Sequence, residues 1–276
     1  MNQTFSPSRF GRLLRTYFTD NRGQLLANLG LLVGILVAFG LLLYRQTPPE
    51  VDRLRPIFFL VIGWAAWYVF TWQQTEVLNH KERAITYLLQ PASQLEKALL
   101  IGLVSGVGFV VVYMICFTLL DSIGVSFVNN RHWNVSQLEE IRLRGGPLRL
   151  APYYNSKHFD APFILWAFTL LLHPFALAFL LVFRRYTLAL VAVLAFAMIT
   201  VLFIGNVFIV HQLTDMKGAV SMRPFEDIIM RSSDGKDYRT VSLPQPIGDQ
   251  LRYVVGIVVI TLLYVTAYFR LKEREV

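Results

Sequence analysis

Cysteine is almost missing from this 276-residue chain: Cys116 stands alone. No disulfide and no cysteine metal site can therefore form within one copy. Charge is scarce too, at 16% Asp, Glu, Lys and Arg, where a soluble domain carries about a quarter. G-x-x-x-x-G-K-[ST] occurs nowhere, so the chain cannot cradle a nucleotide phosphate in a P-loop of its own. H-E-x-x-H and G-x-S-x-G are also missing, and no catalytic constellation emerges in their place. The first twenty residues, MNQTFSPSRFGRLLRTYFTD, lack the apolar core and small-residue cleavage site of a signal peptide and are expected to be retained.

What the chain has in quantity is apolar length. Hydrophobic residues make up 55% of it and mean hydropathy is +0.49, values that point to a membrane protein. The net charge of +8 clusters beside apolar runs, which fits an anionic bilayer face and not nucleic acid. A crossing helix needs about 20 mostly apolar residues. Six segments qualify: 24–44, 56–72, 97–120, 162–183, 187–210 and 252–269. Trp64, Trp67, Tyr68 and Trp72 suit an interfacial end of the second, and Tyr253 and Tyr268 bracket the last. The expected fold is an all-α polytopic membrane protein, one membrane domain over 1–276.

Six crossings put both termini on one side. The tightest loop, Phe183-Arg184-Arg185-Tyr186, is purely basic and the C-terminus reads FRLKEREV. Fewer than half of all basic residues lie on that side, but the positive-inside rule is carried by short loops and flanks. Both termini are expected on the cytoplasmic side of the membrane. Two long segments, 121–161 and 211–251, then face outward. In the first, Ile141, Leu143, Leu148 and Leu150 alternate around Gly145-Gly146, which predicts a hairpin. In the second, Ser233-Asp234-Gly235 is a turn signal.

The six spans hold no Asp, Glu, Lys or Arg in their interiors, which weakens a proton-coupled or ion-channel reading. His173 lies near a midplane, 11 residues from Pro162, or roughly 16 Å deep. His211 is at the wrong depth to be a second haem ligand, so His173 is expected to bond either a neighbouring helix or a carbonyl near the kink at Pro174. Gly30-x-x-x-Gly34 and Gly102-x-x-x-Gly106 would permit close helix contact, within the chain or to a second copy.

Two amphipathic stretches remain. Residues 1–23 predict a helix with Ser6 as cap and Pro7 in the first turn. Phe10, Leu13, Leu14, Tyr17 and Phe18 share one face; Arg9 and Arg12 take the other, with Arg15 at the border. The second lies in 73–96, where Val77, Leu78, Ala84, Ile85, Leu88 and Leu89 fall on one helical face. Asn79, His80, Glu82, Arg83, Thr86 and Gln90 occupy the other. Pro91 stops this helix, and Ser93-Gln94-Leu95-Glu96 reads as a capping box that opens the third span. On pattern alone the stretch is either an interfacial helix on lipid headgroups or a docking element.

Glu82-Arg83, Leu88-Leu89, Pro91, Ser93 and Glu96-Lys97 after the second of six spans, behind an amphipathic N-terminal helix, resemble the ABC-2 type transporter permease superfamily. The PASQLEK wording and the YFRLKEREV ending look most like permease subunits from the Bacteroidetes. The resemblance implies that the segment before Pro91 is a cytoplasmic coupling helix. Glu82, Arg83, Ile85, Leu88, Leu89 and Pro91 would then dock on a separate ATP-binding subunit that carries ATP and Mg. It also implies pairing with a second permease chain, identical or related. Ala84-Ile85 stand where many members have Gly-Thr. The alternative is a non-transporting scaffold or regulator that works through its outer loops.

Overall fold

The computed structural model describes residues 5–79, 92–143, 145, 147–155, 163–183, 186–214, 219–221, 228–231, 238–241 and 247–273. Six helices are long and apolar enough to cross a membrane: Arg22–Leu43, Pro48–Glu76, Gln94–Asn129, Leu165–Val182, Thr187–Ile209 and Tyr253–Glu273. The chain is a multi-pass, predominantly α-helical membrane protein. It packs as two compact units, Met1–Ala161 and Pro162–Arg274.

The first unit opens with α1 (Pro7–Asp20), followed by α2 (Arg22–Leu43) and α3 (Pro48–Glu76). The third crossing is one long rod built from α4 (Gln94–Gly102), a wider π turn over Leu103–Gly108, and α5 (Phe109–Asn129). The π turn has a local cause and a local use. It frees backbone carbonyls from the regular ladder, and the Ser105 carbonyl accepts from the Trp67 indole at 2.6 Å. The Ser105 hydroxyl donates back to the Ile101 carbonyl at 2.6 Å. Trp67 then stacks on Phe109, with ring centres 6.1 Å apart. A run of rings continues through Tyr113, Phe59, Phe117 and Tyr153.

The glycines that admit close packing do not include Gly30, Gly34 or Gly102. A Cβ at Gly63 would lie 2.9 Å from the Tyr113 ring, and Gly124 lies directly under the Tyr44 ring. Gly30, Gly34 and Gly102 have open space where a Cβ would go. Gly106 is buried in the π turn. The expected tight contacts at Gly30, Gly34 and Gly102 are thus not made within the described residues.

The hairpin expected around Gly145-Gly146 is corrected. Val135–Leu143 is instead a helix, α6. The Gln137 side chain accepts from the Asn134 backbone N–H at 3.1 Å, half of a capping box that the alternation pattern concealed. Gly145 ends that helix in the left-handed region, φ 67°, its N–H bonded to the Arg142 carbonyl at 3.2 Å. The chain then runs back to the bundle. The Asn129 amide clasps Leu150 on both sides, donating to its carbonyl and accepting from its N–H, each at 2.9 Å.

The second unit holds α7 (Phe163–Val182), α8 (Thr187–Thr214) and α9 (Ile247–Glu273). His173 on α7 bonds the Tyr264 hydroxyl on α9 at 2.9 Å, so the expected helix-to-helix partner is present. Between α8 and α9 three short strands form an antiparallel meander: β1 (Ala219–Ser221), β2 (Ile228–Arg231) and β3 (Tyr238–Val241). Ile228 pairs with Val241 and Arg231 with Tyr238, so strands flank the predicted turn at Ser233-Asp234-Gly235.

Candidate functional site

The six residues of the docking segment, Glu82, Arg83, Ile85, Leu88, Leu89 and Pro91, lie outside the described residues. What is described is how the chain is held just before and just after them. Ser93 and Glu96 form the expected capping box: the Ser93 hydroxyl accepts from the Glu96 N–H at 3.3 Å, and the Glu96 carboxylate accepts from the Ser93 N–H at 2.9 Å.

That carboxylate does more than close a cap. One oxygen accepts from the Ser6 N–H at 2.8 Å and from Arg9 Nη2 at 2.8 Å. The other accepts from Arg9 Nε at 2.7 Å besides Ser93. Glu96 is fully buried, whereas the Arg9 side chain keeps 26% exposure. An ionised carboxylate is acceptor-only, and here four donors satisfy it, which offsets the cost of burying the charge. The side chain of Ser6 does not cap α1 as expected; its backbone N–H is used for Glu96 instead.

The apolar face of α1 completes the joint. Leu13 is buried against Leu100 and Val104, with Phe10, Leu14, Tyr17, Phe70 and Ala92 packed around them. Phe18, expected on the same face, is 49% exposed. Tyr17 donates to the Gln74 side chain, at the end of α3. Burial pushes the Tyr17 phenol up to about 12, with the Gln74 bond working against it. Helix α1 is therefore tied to both anchor points of the stretch 80–91: Gln74 before it and Glu96 after it.

A second polar cluster lies further along the same rod, around Asp121, 25 residues beyond Glu96, or roughly 37 Å along a helix. Sequence reading placed Arg55 and Asp121 just outside the second and third spans; both lie inside longer helices and are buried. Asp121 accepts from the Tyr44 hydroxyl at 2.6 Å and the Tyr153 N–H at 2.8 Å. Arg55 Nη1 reaches Asp121 at 3.4 Å and the Ala151 carbonyl at 2.8 Å. Its Nη2 reaches Asp52 at 3.3 Å, and the guanidinium sits 5.4 Å from the centre of the Tyr153 ring. The cluster straps the returning segment 150–153 to the bundle. A hydropathy window ends at the first charge, so neither residue could be recognised as buried, and their pairing over 66 positions leaves no local signal.

Among the described residues no group of three or more His, Cys, Asp or Glu side chains could hold a metal ion. The chain carries the helices of a polytopic membrane protein, and no family model, curated protein or solved structure matches it.

Proposed function

We propose that this chain is the membrane-spanning permease subunit of an ATP-driven ABC-2 type transporter. In this reading a separate ATP-binding subunit, holding ATP and Mg, docks on the segment before Pro91. Two permease chains, identical or related, would share the pathway, with both termini in the cytoplasm. The observation that supports the reading is the joint at Glu96. A force on the segment 80–91 needs a stiff route into the membrane, and the segment leaves directly into a capped helix whose first turn is bonded to α1. Displacement of the docking segment then moves α1 and the third crossing together, because one buried carboxylate joins them. An interfacial helix that only rests on headgroups has no need of such a joint.

Charge reversal in the docking segment tests this. Glu82→Lys together with Arg83→Glu should abolish co-purification of a P-loop ATPase from gently solubilised native membranes, while the helical circular dichroism signal stays unchanged. Undiminished co-purification by the double variant would sink the docking role. The scaffold reading has its own support in α6 and the three-stranded meander, which give both long connections ordered structure. It predicts an envelope protein in that pull-down and no ATPase from the unaltered chain.

A further inference from the structure

Among the described residues, a cleft of about 380 Å3 opens beside the Tyr44–Asp121 bond, within the size range of small-molecule sites, about 300–1,000 Å3. Its walls come from α2, α3 and α5, with Leu36, Phe58, Phe117 and Ile123 among the lining residues and Arg45 at its rim. The outer flank is open to the surroundings: Val37, Leu41, Ile123 and Phe127 are all exposed apolar side chains. All three helices are long and apolar enough to cross a membrane. At that depth the surroundings are hydrocarbon, so an acyl chain and not water is the natural occupant.

The rim adds a charge requirement. Arg45 lies two residues past the end of α2 and Arg131 two residues past the end of α5, where apolar helices reach headgroup level. Arg131 Nη1 donates to the Arg45 carbonyl at 2.9 Å, which brings the two residues side by side. Its guanidinium also lies 4.7 Å from the centre of the Trp133 ring, an interfacial arrangement. Both arginines are exposed. Two nearby carboxylates are committed elsewhere: Asp121 to Tyr44, Arg55 and Tyr153, and Asp52 to Arg55. Guanidinium groups match phosphate oxygens in a forked geometry.

We propose that this cleft is a lateral lipid site that holds one acyl chain of an anionic phospholipid, with its phosphate on Arg45 and Arg131. The inference rests on the first unit alone and stands whether or not the chain is a transport subunit.

The test is native mass spectrometry of the full-length purified chain, titrated with phosphatidylglycerol or phosphatidylcholine of matched chains. Phosphatidylglycerol should be retained about tenfold more strongly, the worth of one charged hydrogen bond. Arg45→Gln with Arg131→Gln should abolish that preference, weakening phosphatidylglycerol more than phosphatidylcholine, whose phosphate is already balanced by its own choline. Ile123→Trp, on the exposed flank and aimed at filling the cleft, should remove one retained lipid of either kind. Equal retention of the two lipids by the unaltered chain would overturn the headgroup assignment. A lipid count that survives both sets of substitutions would overturn the site itself.

Discussion

Arg55→Leu lowers the stability of the first unit by about 3–5 kcal/mol, the usual loss when one partner of a buried ion pair is removed. Arg55 is fully buried and makes three polar contacts, to Asp121, Asp52 and the Ala151 carbonyl. Leucine removes all of them and leaves Asp121 as a buried carboxylate facing only the Tyr44 hydroxyl and the Tyr153 N–H. It also removes the cation over the Tyr153 ring and the bond to the Ala151 carbonyl, so the segment 150–153 keeps the Asn129 clasp, the Tyr153 N–H bond to Asp121 and its ring contacts but loses the guanidinium strap. Denaturant unfolding in detergent, followed by tryptophan fluorescence, reads the loss, and proteolysis within 150–155 reads the detachment. The double variant Arg55→Leu, Asp121→Leu carries no stranded charge, so its cost should fall well short of the sum of the two singles. An Arg55→Leu chain within about 0.5 kcal/mol of the original, the range of an inconsequential surface change, would show that the cluster does not hold this end together.

Glu96→Gln should release α1 from the bundle. Four donors converge on the carboxylate: two from Arg9 and the backbone N–H groups of Ser6 and Ser93. A carboxylate only accepts, whereas an amide turns an NH2 group toward at least one of those donors. Size is preserved, so the change isolates the charge and the bonding pattern. Arg12 and Arg15 are exposed on α1, and trypsin reaches their backbone only when that helix opens. Cleavage there should accelerate about tenfold or more, since hydrogen bonds to charged groups are worth about 1.5–3 kcal/mol. Ser93→Ala removes the cap alone and should cost only about 1 kcal/mol, with a correspondingly smaller rise in cleavage. Equal cleavage of Glu96→Gln and the original chain would mean that α1 is held by Leu13 and its neighbours without the joint.

The contrast between these two sites shows what the sequence could disclose. The capping box at Ser93 and Glu96 is a contact over three positions, so its pattern is visible in the letters. The same carboxylate also serves Arg9, 87 positions away, and nothing local announces that. Arg55 and Asp121 marked where hydropathy fell, yet the third helix runs on to Asn129 because apolar residues such as Val125 and Val128 continue to pack beyond the charge. Alternation over 141–150 predicted a hairpin, whereas Ile141 and Leu143 belong to the last turn of α6 and Leu148 and Leu150 lie beyond Gly145. Small-residue spacing pointed to Gly30 and Gly34, while the close approaches occur at Gly63 and Gly124, each set by one tyrosine on another helix or its cap. The six crossings and the amphipathic α1 were legible because each is a periodic or continuous pattern over many residues.

The central claim, that the stretch before Pro91 is gripped by an ATP-binding subunit, is tested most directly by where that stretch makes contact in native membranes. A photo-crosslinking amino acid placed at Thr86, on its polar face, should form a single adduct, with a P-loop ATPase, and the adduct should vanish when Glu82→Lys and Arg83→Glu are added. Adducts with phospholipid alone, from a chain that remains folded, would contradict the account and leave that stretch as a helix lying on headgroups.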